Sequence, residues 1–349
     1  MSDKMKALSA SRIKTLQKCT WSYYANYNLR LPDKGNDGAN RGTICHLVFE
    51  VLGNPRHKKH YNKIIKEGDV FASKAVEGLI WKWANKLKVN DDENMELIKK
   101  MTLNGLSYDF FGVDEGKPTE SISEKDFDII VEEDDKKYRI KGFIDKTYLY
   151  KRKKKVLIRD FKSSKDVFKG KDLSDNLQDL MYKLAVSKIY PEYVNREMEF
   201  LFLKFPMPGK GCQKTEEVED VELEGFEYQL SEIQKVIDNF DQKAGMSNYA
   251  ASKGFPKDGT FSGLLACGKD GYKIRKGEPL LDDDGKPIPA YICPHRKPMK
   301  YYALVSEEGV VKSTSFLDEK EKLEKMKKEG DSIEEKEYKG CPYWYKENY

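Results

Sequence analysis

The run G-F-I-D-K-T-Y-L-Y-K-R-K-K-K-V-L-I-R-D-F-K-S-S-K, residues 142 to 165, constrains this chain more than any other stretch. Two apolar-rich segments flank K-R-K-K-K, the pattern of a β-hairpin. A turn centred near Lys153 places Asp145 opposite the neighbourhood of Asp160 and Phe161. Asp160 and Lys162 point to one side of their strand, because side chains alternate with a period of two. Two carboxylates and a lysine gathered this way suit a divalent-cation site acting on phosphodiesters. A hard cation prefers oxygen ligands, polarises a phosphate and eases deprotonation of water. A solvated, charged hairpin is the competing reading, since D-x-K alone is a weak signal.

The flanking pattern predicts helices on both sides of a sheet. Ser9 or Ser11 can cap a helix carrying Ile13, Leu16 and Cys19 inward. After the polar loop P-D-K-G-N-D-G-A-N, a second helix is expected from R-G-T-I-C-H-L-V-F-E-V-L, with Thr43 as cap and with His46 and Glu50 on one face. A third is expected over residues 69 to 88. Strands are expected from about residue 104: Y-D-F-F-G-V, D-F-D-I-I-V-E-E, then the two arms of the hairpin. A helix through Q-D-L-M-Y-K-L-A-V, ended by Pro191, leads to the strand E-M-E-F-L-F-L-K-F, stopped by Pro206. Residues 227 to 245 and the charged segment 317 to 337 read as helices, and L-D-D-D-G-K-P-I-P as an exposed turn. The fold class is therefore α/β, a central mixed sheet flanked by helices. Residues 1–245 are expected to form the core with an N-terminal helical region. Residues 246–349 are expected to form an extension, either a small satellite subdomain or a wrap around the main sheet.

Composition narrows the classes. Thirty-seven Tyr and Phe (21 and 16) need burying, which argues against wholesale disorder. The net charge of +4, from 63 basic and 59 acidic residues, leaves polyanion binding to local patches. No apolar run spans a bilayer, and M-S-D-K-M-K-A-L-S-A has no signal-peptide core, so a cytoplasmic or otherwise intracellular setting is expected, without a membrane. No G-x-G-x-x-G or G-K-S/T loop supports a nucleotide enzyme. Six cysteines spread along the chain do not make a small disulfide scaffold.

Four signals together resemble the PD-(D/E)XK nuclease superfamily, particularly its RecB-like and Cas4-like exonuclease branch. They are G-T-I-C-H-L-V-F-E with His46, G-F-I-D with Asp145, D-F-K with Asp160 and Lys162, and Q-D-L-M-Y with Gln178 and Tyr182. The resemblance covers roughly residues 9 to 205. It implies a restriction-endonuclease-like core in which His46, Asp145, Asp160 and the backbone carbonyl of Phe161 bind Mg²⁺ or Mn²⁺. Lys162 would be the catalytic lysine. Gln178 and Tyr182, four apart on a helix, would contact DNA or buttress the site. Taken singly, Tyr182 reads as a core tyrosine, Gln178 as a solvated helix residue and His46 as a partly buried histidine.

The opening S-R-I-K-T-L-Q-K-C-T-W-S-Y-Y also resembles some Cas4-like and AddB-like nucleases, which place one cluster-binding cysteine there and three more near the C-terminus. Here Cys19 matches the first, and Cys267, Cys293 and Cys341 are the later candidates for a [4Fe–4S] cluster, or for zinc. The late cysteines lack the family's C-x-x-C pair; His295 is a further candidate zinc ligand, and free buried thiols are the plain alternative. For DNA, the candidate contacts are Arg12, Lys14, the R-H-K-K-H loop with His57 and His60, and the 151–155 turn. Trp21, Tyr23 and Tyr24 either stack on bases or pack their helix. The function expected is a metal-dependent DNA exonuclease in recombination, repair or processing, working with DNA and with other repair proteins. The alternatives are a structure-specific endonuclease or an inactive DNA-binding scaffold of the same fold.

Overall fold

In a computed structural model the protein is described over residues 5–133, 135–170, 173, 175–252, 267–268, 274–275, 278–281, 285–288, 290 and 292–349. The chain divides into two compact units, one of residues 1–10 with 35–235 and one of residues 11–34 with 236–349.

The first unit is built on a five-stranded sheet in the order β1-β2-β3-β4-β5. Its strands are β1 (Glu120–Glu132), β2 (Lys137–Tyr150), β3 (Lys155–Lys162), β4 (Asn195–Phe202) and β5 (Cys212–Lys214). The β3–β4 pair is parallel and all the others are antiparallel, so the sheet is mixed. A parallel pair needs a crossover, and the helix Leu177–Ile189 supplies it. Among the described residues, the longer α-helices of this unit are α1 (Asp37–Gly53), α2 (Lys58–Glu67), α3 (Lys74–Leu87) and α4 (Asp92–Ser107); the crossover is α5, and α6 is Asp220–Asp238.

The predicted hairpin is present. β2 and β3 pair antiparallel from Tyr150↔Lys155 to Lys146↔Arg159, and Lys151–Lys153 form a 3₁₀ turn closed by a left-handed Lys154. Residues Lys155 to Phe161 are all buried, as fits a central strand covered on both faces. Arg159 is tolerated there because Glu199 (2.7 Å) and Asp109 (3.0 Å) bracket its guanidinium. The apolar core of this unit gathers Ile44, Val48, Phe49 and Leu52 of α1, Ile80 of α3, Ile98 and Met101 of α4, and Phe161 and Leu201 of the sheet.

Several expectations are corrected. α1 begins at Asp37, not near Thr43, because the Asn36 side chain accepts from Ala39 N–H and caps the helix earlier. Thr43 instead bonds back to the Ala39 carbonyl inside the helix. Y-D-F-F-G-V is not a strand: Asp109 and Gly112 have φ of 35° and 67°, which turns the chain after α4. The sheet starts at Glu120 rather than near residue 104. The 227–245 helix is α6 followed by a separate turn, Gln242–Gly245.

The second unit holds Ala10–Lys18 from its second residue on, and a three-stranded antiparallel sheet of Met299–Val305, Val311–Ser315 and Ser332–Tyr338. Residues 317 to 337 are thus not one helix. Only Lys320–Glu324 is α-helical, Gly330 turns the chain with φ 81°, and Ser332 onward pairs with Met299–Val305. The charges of that strand remain exposed on an edge. Trp21 is buried and donates to Tyr338 Oη (2.6 Å), and Tyr23 meets Phe240 edge to face with centroids 4.8 Å apart, so both pack the unit's interior. The L-D-D-D-G-K-P-I-P segment lies partly outside the described residues, although Leu281 and Pro287 are bridge partners. No helix among the described residues is long and apolar enough to cross a membrane.

Candidate metal centre

β2 and β3 part beyond the Lys146↔Arg159 pair, and the candidate site occupies that fork. Asp145 Oδ2 accepts from Phe161 N–H at 2.7 Å, which ties the carboxylate across the opening. α1 brings His46 to the same place. Its Nδ1 lies 3.3 Å from Asp145 Oδ1 and 3.9 Å from Glu124 Oε1, and its Nε2 is 3.0 Å from the Phe161 carbonyl. A carbonyl only accepts, so Nε2 carries a hydrogen and Nδ1 is the atom turned to the carboxylates. Gly42 lets α1 come this close: a Cβ there would stand 2.8 Å from Ser163 Oγ.

The second half of the site comes from β3 and α5. Lys162 Nζ lies 2.6 Å from Asp160 Oδ2 and donates to Gln178 Oε1 at 2.7 Å. Gln178 Nε2 donates to Asp160 Oδ1 (2.5 Å) and Tyr182 Oη (2.8 Å). Tyr182 Oη in turn donates to the Phe143 carbonyl at 2.6 Å. A lysine that only donates and a carboxylate that only accepts fix the orientation of the Gln178 amide. Asn176 sets the start of α5, accepting from Gln178 N–H at 3.0 Å. Gln178 and Tyr182 then face the site one turn apart.

Electrostatics follow from burial. Asp160 is 3% exposed, and burial with the Asp145 charge raises its carboxyl to about 6, Lys162 and His46 opposing. For His46, burial works downward, but the bonds to Asp145 and Glu124 and the charges of Asp145 and Asp160 outweigh it and raise the imidazole to about 10. Tyr182 is raised by burial and by Asp160 and Asp145. Despite the close lysine, Asp160 Oδ2 has no well-aligned hydrogen-bond donor among the described residues.

Glu124 is the member that sequence reasoning missed. His46, Glu124 and Asp145 each offer one ligand atom within 4.8 Å of the others. One imidazole nitrogen, carboxylate oxygens and the donor-poor Asp160 oxygen fit a hard divalent cation. Glu124 has φ of 50° in the middle of β1, between the pairs Ser123↔Lys146 and Lys125↔Ile144, so it stands across from Asp145. Counting the β1–β2 register back through S-I-S-E-K would have found it. The expected strand started too late to do so. A groove of about 450 Å³ opens beside the group, lined by Thr43, His46, Glu50, Glu124 and Ser163.

Other candidates fall elsewhere. Lys155 is buried between Glu115 (2.5 Å) and Glu197 (2.7 Å), so it is a structural cation rather than a DNA contact, and Lys153 also pairs with Glu115 at 3.4 Å. That turn stands five residues from Asp160, roughly 17 Å along the strand. His60 Nδ1 is 2.8 Å from Ser73 Oγ and His57 Nε2 accepts from Arg56, both away from the fork.

The four cysteines lie in the second unit and come together there. Cys293 N–H donates to the Cys267 carbonyl at 3.0 Å, and Cys341 N–H to the Arg296 carbonyl at 3.1 Å. Cys19 packs against two apolar groups, one containing Cys341 and the other Cys267. Burial raises the Cys341 thiol to about 12, with Cys19, Cys267 and Cys293 adding to it. Cys19, Cys267, Cys293 and His295 line one cavity of about 280 Å³, and His295 Nδ1 is buried without a partner among the described residues. Cys45 and Cys212 belong to the first unit and stand apart from this group.

No functionally curated protein matches the chain. Among solved structures it is similar to a putative exonuclease from Eubacterium rectale, with 13% identity, coverage of 68% of this chain and 83% of that one, and a TM-score of 0.41. The family model of the PD-(D/E)XK nuclease superfamily matches residues 7–255, which contain every member of the centre at the β2–β3 fork. The chain belongs to the PD-(D/E)XK nuclease superfamily.

Proposed function

We propose that this protein is a Mg²⁺- or Mn²⁺-dependent deoxyribonuclease, an exonuclease of the RecB-like and Cas4-like kind acting in DNA recombination, repair or processing. The observation that carries the reading is the convergence of His46, Asp145, Asp160, Lys162, Gln178 and Tyr182 on one fork of the sheet. His46, Glu124, Asp145 and Asp160 would hold the cation, with the Phe161 carbonyl beside them. When bound, a divalent cation supplies Lewis acidity toward the phosphate and makes water easier to deprotonate. Lys162 would orient the attacking water and offset charge gathering on the phosphoryl oxygens. Gln178 holds Lys162 and Asp160 in register, and Tyr182 anchors Gln178 to β2.

Cys19, Cys267, Cys293 and Cys341 are assigned to a [4Fe–4S] cluster. The support is four thiols from both ends of the chain gathered in one unit, soft donors suited to iron–sulfur or zinc. The role proposed for the cluster is structural, in keeping with the place of these cysteines in the second unit, apart from the oxygen donors.

The test is digestion of end-labelled linear and of circular DNA with Mg²⁺, Mn²⁺ or EDTA. Release of short products from linear DNA alone, abolished by EDTA, is the expected result. Cleavage of circles would replace exonuclease by endonuclease. DNA binding without cleavage under any metal would leave an inactive DNA-binding scaffold.

A further inference from the structure

Lys146 is buried, 1% exposed, and the chemistry above makes no use of it. No carboxylate among the described residues lies within ion-pair distance of it. Its ammonium donates to Ser123 Oγ at 2.7 Å and lies over the rings of Phe110 (5.3 Å) and Tyr148 (5.8 Å). The C-terminal residue of α1 closes the remaining side. A Cβ on Gly53 would stand 2.7 Å from Lys146 Nζ and 2.5 Å from Ser123 Oγ, so the backbone of the helix lies against both. The C-terminus of a helix is the end that favours a cation. Burying an ammonium with so little compensation is costly, and apolar residues would fill the space more cheaply.

The position of the lysine suggests why it is there. Lys146 follows Asp145 on β2, and its cross-strand partner Ser123 precedes Glu124 on β1. Glu124 is the residue with the left-handed φ of 50°, a conformation that a non-glycine residue keeps only where its neighbours enforce it. α1, touched at Gly53, is the helix that carries His46.

We propose that Lys146 is a positioning residue, which acts through Ser123 to hold Glu124 in its left-handed conformation and thereby sets the Glu124 carboxylate beside His46 and Asp145. The proposal deepens the nuclease reading, on which its metal-binding consequence rests. A clamp of this kind joins β1, β2 and the end of α1 one residue away from the donor atoms. Partners of metal ligands typically contribute ~10–100-fold to affinity.

The experiment measures Mn²⁺ affinity, by the EPR signal of free Mn²⁺, on full-length wild type, Lys146→Met, Lys146→Arg, Ser123→Ala, Glu124→Gln and the Glu124→Gln/Lys146→Met double variant. Thermal melts run alongside. Lys146→Met is expected to bind Mn²⁺ about tenfold more weakly or worse while melting no lower than wild type, because a buried charge is replaced by an apolar chain. Lys146→Arg should restore part of the affinity. The double variant should bind no worse than Glu124→Gln alone, since both changes remove one contribution. In EDTA, the backbone ¹³C shifts of Glu124 should leave the left-handed range in Lys146→Met and in Ser123→Ala. Wild-type affinity in folded Lys146→Met, multiplied losses in the double variant, or unmoved Glu124 shifts would each overturn the proposal. Should Lys146→Met fail to fold, Ser123→Ala decides by the same two readouts. A wild type that binds no Mn²⁺ would sink the nuclease reading instead, and the Glu124 shifts would still judge the positioning claim.

Discussion

At the scale of the residue, the centre is divided between groups that hold a cation and groups that work on the reaction. Asp160 sits in both halves: its Oδ1 is held by Gln178 and its Oδ2 by the charge of Lys162. Asp160→Ala should therefore lose metal affinity and cleavage together. Lys162→Ala should keep metal affinity and lose turnover on the order of 10²-fold or more, the scale of a preorganised charge-stabilising donor. Lys162→Ala should stay folded, since Lys162 is the half-buried last residue of β3, and thermal melts of both variants separate lost function from lost fold. Separate measurements of Mn²⁺ binding and of DNA cleavage check this, and a Lys162→Ala protein that cleaves at the wild-type rate would remove the lysine from the chemistry. His46, Asp145, Asp160, Lys162, Gln178 and Tyr182 were all legible as residues. Glu124 was not, because a single glutamate in S-I-S-E-K-D carries no spacing signal until its strand is paired.

At the scale of the element, small residues and caps decide where the functional side chains come to rest. Gly142 opens G-F-I-D because the Phe127 ring lies across it: a Cβ would meet Phe127 Cζ at 2.8 Å. Phe127 also packs edge-on against Tyr182, with centroids 6.1 Å apart. Gly142→Ala should push Phe127 into Tyr182, destabilise by roughly 1–3 kcal/mol and lower cleavage through the displaced Gln178. A chemical-denaturation series with a cleavage assay reads both effects, and a neutral result would mean that the ring swings away freely. The packing of α6 on β2 gives an acid-sensitive joint. Glu227 accepts from Tyr138 Oη (2.5 Å) and pairs with Lys188 (2.6 Å). Burial pushes the Glu227 carboxyl up, but these bonds and the charges of Lys188 and Lys136 outweigh it and hold it below the usual 4.5. A carboxyl depressed in the folded state adds stability that is present above its unfolded value and is lost as pH falls below it. Stability of this unit should therefore drop below about pH 4.5, and Glu227→Gln should flatten that drop in acid melts.

At the scale of the whole molecule, two kinds of donor set are kept in two units. The oxygen-rich group is in the unit of residues 35–235, and the four thiols are in the unit of residues 11–34 and 236–349. The hard and soft sites should accordingly fail independently. Cys19→Ser and Cys293→Ser should lower iron content and the melting temperature of their own unit while leaving Mn²⁺ affinity unchanged. Elemental analysis of protein purified without oxygen checks the first part and Mn²⁺ titration the second. Zinc in place of iron would change the identity of the metal, and no metal at all would leave four free thiols, two of them buried.

The sequence by itself determined the hairpin, the order of the motifs and the mixed sheet between helices, because alternation, turn residues and apolar runs are local signals with fixed periods. It left the charged segment 317–337 misread as one helix, since edge-strand pairing, from Ser332↔Val305 to Tyr338↔Met299, depends on residues far off in the sequence. Only the tertiary structure decided that Glu124 joins His46 and Asp145 and that Lys155 is enclosed by Glu115 and Glu197. Each of these is a contact between segments distant in sequence. Such contacts are set by strand register and helix docking, which no local pattern of residues encodes.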